Sequence, residues 1–305
     1  MVVTHRSRRP LVATIAVLVA LSVSLSFGRG TDATSLTKIL DGAGQYARRF
    51  EEGFSVVIAD EAYTQELYIQ GDRSTVRRIR SEMLFMWVPE DHEWLSVRNV
   101  LAVDGREVPD SASRLESALK DPLPGRASRL HRLAEESARF NVGSIHRNFN
   151  SPTLALQFVD PSYQPRFKFM LDNDGREKRM GGVLVRRVTY AELQRPTVVR
   201  DGDENLFSNG ALWLRVSDGT IVRTSQTLTA PRTHTQASIA VDYRRDPRLD
   251  MWVPSHMEER YASHVLEHHL GALNGKVSRL NEIICGATYS HFRRFETAGR
   301  VVAPK

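Results

Sequence analysis

From Gly210 to Tyr261 the chain alternates apolar and polar residues over three successive runs separated by turn residues. Leu212, Leu214 and Val216 alternate with Trp213 and Arg215, the period-two pattern of a half-buried strand. Asp218-Gly219 follows and predicts a two-residue hairpin, because a type I′ turn takes positive φ at both central positions. The chain returns through Ile221–Leu228, and Ile239, Val241 and Tyr243 form a third alternating run. A closing stretch, Ile283–Phe295, alternates in the same way. An antiparallel meander long enough to curl is therefore the expected scaffold.

The rest of the chain is arranged around it. Leu36, Ile39, Leu40, Ala43, Tyr46, Ala47 and Phe50 share one face at helical spacing, with Thr34 or Ser35 available to cap. Phe54–Tyr68, Val76–Val88 and Trp94–Val103 read as strands, joined at Gly71-Asp72 and closed by Asp104-Gly105. The middle is helical: Leu115, Ala118 and Leu119 carry one apolar stripe, Pro122 and Pro124 break it, and Leu130–Phe140 carry a second. Pro152–Val159 predicts a short helix. Strands resume at Arg166–Leu171, turn at Asp174-Gly175 and continue through Val183–Leu193, while Leu270–Asn281 reads as a loop. The expected fold is α+β, a strongly curved antiparallel half-barrel of about nine to eleven strands with helices on its concave face.

The first thirty residues read as a targeting segment. His5, Arg6, Arg8 and Arg9 precede the apolar run Leu11–Phe27, and Ser24, Ser26 and Gly28 offer a cleavage site. The run is borderline in length for a membrane anchor, so a cleaved secretory signal is the preferred reading over an uncleaved one. Ser7–Leu11 matches a twin-arginine signal only loosely, and no cysteine stands near the cleavage region for acylation. Residues 31–305 then form a single domain with a helical insert at about 110–160, exported to the periplasm or cell envelope. The formal charge of +6 falls to +2 once the four arginines of the signal leave, with 38 basic residues against 36 acidic. That balance argues against a nucleic-acid partner, which needs a strong basic excess. Cys285 is alone, closes no disulfide within the chain, and reads as a buried small hydrophobe.

Few motifs suggest chemistry. Gly42-Ala43-Gly44 with Ala47 spells a dinucleotide fingerprint, but both glycines fall inside the predicted helix and no strand precedes them. His264-Val-Leu-Glu267-His268 matches the inverted zincin pattern, which holds zinc between two histidines one helical turn apart. Only about ten residues separate strand-like sequence from Gly271, too few for that helix, so a zinc hydrolase stays the weaker alternative. Glu51-Glu52 and Glu258-Glu259 are adjacent; on a strand such neighbours face opposite ways and make poor acid/base partners. No catalytic residue and no cofactor is assigned. The stronger lead is aromatic: Trp213, Tyr243, Trp252, Tyr289 and Phe292 lie on meander strands. On a curved sheet they would line a concave apolar face, which either the helices or a ligand must fill.

The Trp-containing hairpin ALWLRVSDGTIVR, the V-D-Y strand and the strand WVPSHMEERY, preceded by a signal and a helix, resemble periplasmic carriers of the LolA-like type. They are also similar to the related fold of the sigma-factor regulator RseB and of mycobacterial lipid-carrier lipoproteins. The resemblance covers Gly210–Tyr261 and the closing Tyr289–Phe295. It implies a half-barrel whose concave side, lidded by helices, holds an acyl chain or another apolar group. The insert at Ser111–Phe140 departs from the compact carriers and either occludes the cavity or docks a partner. The implied function is a non-enzymatic carrier for a lipid or lipid-modified polypeptide, touching membrane only through an uncleaved signal or in passing. The alternative in the same fold is a sensor module without a cavity that binds an envelope protein.

Overall fold

The structure, a computed structural model, describes residues 27–54, 56–88, 93–120, 123–143, 147, 150–172, 176–230, 235–268, 276–296 and 300–302. The signal region up to residue 26, the Asp174-Gly175 turn and residues 269–275 lie outside them.

Helix α1 (Phe27–Gly53) leads into β1 (Val56–Ile69), β2 (Asp72–Val88), β3 (Glu93–Val103) and the two-residue β4 (Arg106–Glu107). The insert follows as α2 (Ser111–Lys120), α3 (Leu123–Ala138) and the single turn α4 (Leu154–Gln157). Then come β5 (Phe167–Leu171), β6 (Lys178–Met180), β7 (Val183–Glu192), β8 (Val199–Asp201) and β9 (Glu204–Arg215). The chain ends through β10 (Ile221–Ala230), β11 (Thr235–Asp246), β12 (Met251–His268), β13 (Lys276–Glu296) and β14 (Arg300–Val302).

Among the described residues one open antiparallel sheet contains all fourteen strands, in the order β4-β3-β2-β1-β13-β12-β11-β10-β9-β7-β5, with β14, β6 and β8 on β13, β7 and β9. The described residues are mostly sheet, and that sheet does not close into a barrel. Ten strands have five residues or more; the excess over the expected count is the four of two or three residues, too short to show a period. Within the loop expected over Leu270–Asn281, residues 276–281 are strand, since β13 begins at Lys276, and residues 270–275 lie outside the described residues. Pairing of β1 with β13, in register from Val57↔Arg294 to Ile69↔Asn281, joins the two ends of the chain at the middle of the sheet.

The two faces bury different helices. Val57, Ala59 and Tyr63 of β1 share a core with Met83, Phe85, Leu214, Val253 and the α1 residues Ala43, Tyr46 and Phe50; this is the inner face. Aromatic rings carry the contact from helix to sheet: Phe50 lies 4.5 Å from Phe54 and 5.5 Å from Trp94, and Phe54 lies 5.4 Å from Phe85 and 6.0 Å from Phe292. The alternate residues Ile58, Leu84, Met86 and Val97 point outward and bury Leu115 and Leu119 of α2 with Leu130 and Leu133 of α3. Helix one and the insert were both expected on one concave face. They instead pack on opposite faces, because Met83–Val88 is apolar at every position and needs cover on both sides. The break expected at Pro122 and Pro124 separates α2, which ends at Lys120, from α3, whose first turn takes Pro124, where a missing N–H costs nothing.

Two turns differ from the expected type. At Asp218-Gly219 only the glycine has positive φ (+73°); the Asp218 carboxylate turns back to accept from Arg215 Nε (2.8 Å) and Thr220 N (3.1 Å). The first hairpin turns one residue early, at Gln70-Gly71, with φ of 53° and 93°. Gly219 presses on α1 so closely that a Cβ there would stand 2.2 Å from the Ala43 nitrogen, and one on Gly42 would meet the Asp218 backbone at 3.1 Å. The G-x-G letters of α1 are thus small residues that admit a hairpin tip and, at Gly44, Pro161.

Candidate ligand-binding site

Strand register arranges the outer face of the sheet in rows. One row runs Ala211, Ser225, Ala240, Glu258, Gly286 and Thr64, from β9 across to β1. All but Glu258 are small. The flanking rows are bulkier: Trp213, Arg223, Asp242, His256 and Thr288 on one side, and Thr227, Ser238, Arg260, Ile284 and Glu66 on the other. Small side chains between taller walls leave a groove across the strands, with a volume of about 620 Å³. Its lining runs from Ser225 and Thr227 on β10 to Thr64 and Glu66 on β1. Five strands at the usual spacing make it about 19 Å long.

The walls carry paired charges. Arg223 Nη1 holds both Asp242 oxygens at 2.6 and 2.7 Å, Arg260 Nε holds Glu282 at 2.5 Å, and His256 Nε2 stands 3.5 Å from Glu258. Ile284 is 38% exposed on the groove, an apolar side chain left open to whatever lies there. Nothing occupies the Cβ direction of Gly286 nearer than His256 Cε1 at 4.0 Å.

Beneath the groove, the inner face is polar as well as aromatic. Arg98 forms a two-point pair with Glu61, whose second oxygen also accepts from Ser81 Oγ at 2.6 Å. Burial pushes the Glu61 carboxyl up, but the Arg98 charge and these hydrogen bonds outweigh it and hold the carboxyl below its usual range. Glu259 is the reverse case: burial raises it, against a hydrogen bond from the Tyr261 hydroxyl. Glu258 and Glu259 do face opposite ways, one into the groove and one into the core. Cys285 is buried, with Arg147 Nη1 3.2 Å from its sulfur, and burial pushes its thiol up to about 12.

The five aromatics singled out in the sequence are not gathered in one place. Tyr243, Tyr289 and Phe292 are packed in the inner core, where Tyr243 donates to the Pro152 carbonyl and Phe85 lies 6.2 Å from Tyr289. Trp252 lines a cavity of about 350 Å³ with Tyr46, Leu249 and Met251, beneath the Arg215 guanidinium at 5.7 Å. Trp213 stands on the other face, in the wall row of the groove, with Arg187 and Arg223 at 5.4 and 5.8 Å from its ring. His264, Glu267 and His268 fall within β12, paired with Leu280, Val277 and Lys276. The segment is strand, so the one-turn helical spacing that the zincin pattern requires is not formed. His269 lies outside the described residues.

The groove residues Ser225, Ala240 and Gly286 escaped the sequence reading because the rows exist only once the register is known. The local signal was a run of small residues at outward positions of otherwise apolar strands. Arg98, Arg147 and Glu61 escaped it too, although Glu61 is in phase with the buried Val57, Ala59 and Tyr63.

No protein-family profile matches the chain, and no curated protein sequence matches it. Among solved structures it is similar to a DUF1329 family protein from Desulfovibrio piger ATCC 29098, with TM-score 0.33 and 10% identity over 84% of this chain and 93% of that one. It is also similar to the LolA superfamily protein NE2245 from Nitrosomonas europaea, with TM-score 0.30 and 10% identity over 85% and 93%. A third similarity is to a structure described by its lipid–protein interactions in lipovitellin, with TM-score 0.28 and 7% identity; it covers 82% of this chain but 26% of that one. Likenesses this loose carry no argument about ligand or activity; that rests on the groove.

Proposed function

We propose that the protein is an exported, non-enzymatic carrier for a lipid or lipid-modified polypeptide, and that the outer-face groove holds the apolar part of that ligand. The groove itself carries this reading: about 620 Å³, a floor of small residues interrupted by Glu258, and the exposed Ile284. Ligand pockets commonly enclose about 300–1,000 Å³. An apolar chain lying in the groove would gain roughly 25 cal/mol for each Å² removed from water, and needs no reacting group. The charged pairs Arg223–Asp242 and Arg260–Glu282 stand where a polar headgroup or a peptide backbone would emerge. Half-barrel curvature, the export signal and passage through the periplasm belong to this proposal. The same polar walls suit a second reading, an extended segment of an envelope protein lying across the strands.

Native mass spectrometry on protein purified from its own cells tests the proposal. Bound lipid mass that organic extraction removes supports it. A bare polypeptide mass before extraction contradicts it, and a bound peptide mass favours the second reading.

A further inference from the structure

A third, smaller cavity of about 250 Å³ lies near the β3 edge of the sheet, between β3, helix α3 and the chain at Arg147, Asn150 and Ser151. Two guanidinium groups line it. Arg98 commits Nε and Nη2 to Glu61 at 2.6 and 2.8 Å, so its charge is balanced and its Nη1 has no hydrogen bond among the described residues. Arg147 differs. It is 2% exposed, and its hydrogen bonds reach only neutral groups: Gln65 Oε1 at 2.7 Å, the Val142 carbonyl at 3.2 Å and Cys285 Sγ at 3.2 Å. Among the described residues no carboxylate hydrogen-bonds to it; the buried Glu259 carboxyl feels its charge only through space, and the Arg147 Nε donates to nothing. Asn150, 8% exposed, has an Nδ2 in the same condition.

Ser96 and Ser151, hydrogen-bonded to each other at 2.6 Å, add two hydroxyls to the wall. The acidic residue of the lining is Glu135, exposed on α3 at the rim. Buried charges in proteins are paired or hold a ligand, and buried donors are nearly always satisfied. One cavity bordered by a buried cation with no carboxylate hydrogen-bonded to it and by unsatisfied donors departs from both rules. A bound anion would remove all the departures together, through charge-assisted hydrogen bonds.

We propose that this cavity binds a small oxyanion, a carboxylate or phosphate group, with Arg147 and Asn150 as its main donors and Arg98 Nη1 as a further one. The site shares no lining residue with the groove and does not depend on the carrier reading.

Thermal unfolding of the whole protein in chloride, acetate and inorganic phosphate at matched ionic strength tests it. Acetate or phosphate should raise the midpoint saturably, by about 5 °C at a hundredfold excess over its Kd, while chloride does not. Which of the two acts separates carboxylate from phosphate. Arg147→Met should abolish the shift and melt no lower than the unsubstituted protein in chloride, since it removes a buried charge that no carboxylate hydrogen-bonds. Asn150→Leu should weaken anion affinity at least tenfold. An equal response to all three salts overturns the proposal, as does a shift that survives in Arg147→Met. So does Arg147→Met melting far below the unsubstituted protein in chloride, the result expected if Arg147 is only a strut. Should Arg147→Met not fold, an undiminished affinity in Asn150→Leu overturns it independently.

Discussion

Arg98 and Glu61 form a buried two-point ion pair that ties β3 to β1 across the intervening β2, Nε to Oε2 at 2.6 Å and Nη2 to Oε1 at 2.8 Å. Their side chains are 8% and 0% exposed, and the guanidinium also lies 4.3 Å from the centre of the Tyr63 ring. Removing one partner strands the other charge in the core. Arg98→Met is expected to cost about 3–5 kcal/mol in urea unfolding, and Glu61→Leu/Arg98→Met to recover most of it. A double variant no more stable than Arg98→Met would show that the pair does more than neutralise itself.

Stability should peak in mildly acidic solution. Glu51 on α1 is raised from 4.5 to about 7, chiefly by burial and further by the nearby Asp160. The folded chain therefore binds its proton more tightly than the unfolded chain does. Its contribution is complete below 4.5 and is lost as pH rises through 7. Asp218 works the other way: burial opposes its charge, yet Arg215 and Thr220 hold it at about 2. Its contribution is present above the usual 3.8 and is lost as pH falls through 2. Melting temperature against pH should rise from pH 8 to 5 and fall below 4. Glu51→Gln should flatten the first limb and Asp218→Asn the second; unchanged limbs would remove these assignments.

The contact between hairpin and helix is tight at one atom. Gly219→Ala adds a Cβ 2.2 Å from the Ala43 nitrogen at a residue with φ +73°. Overpacking against backbone together with the left-handed strain should cost about 3 kcal/mol or more. Gly71→Ala, at φ +93° with nothing within 4 Å, should cost only about 1–2 kcal/mol. Equal losses in chemical denaturation would mean that the α1 contact is not what constrains Gly219.

Cys285 should be inert in the folded protein. With its thiol pushed up to about 12 and its side chain buried, a disulfide reagent at pH 8 should modify it only at the rate of opening. Modification within seconds, without denaturant, would contradict the burial.

Much of this architecture was legible locally. The alternation in Leu212–Arg215 and Ile239–Tyr243 marks β9 and β11, and the apolar stripe Ile39–Ala43–Tyr46–Phe50 marks α1. The face that each helix covers was legible only in part. Met83–Val88, apolar at every position, signals burial on both sides, but nothing local says that α2 and α3 supply the second cover. The groove was not legible at all. It depends on Gly286, Glu258, Ala240 and Ser225 falling into one row, which is set by the register of four strands. Arg147 likewise reaches Gln65 and Cys285 over 82 and 138 residues of chain, beyond the range of any local pattern.

The groove is tested most directly at Gly286, whose Cβ direction is open and whose φ is not positive, so a large side chain enters without backbone strain. Gly286→Phe and the unsubstituted protein, purified side by side from the same cells, should be compared by native mass spectrometry and thermal unfolding. The account predicts equal melting after lipid extraction, with bound lipid present in the unsubstituted protein and absent from Gly286→Phe. The same lipid bound in equal amount to both would contradict it.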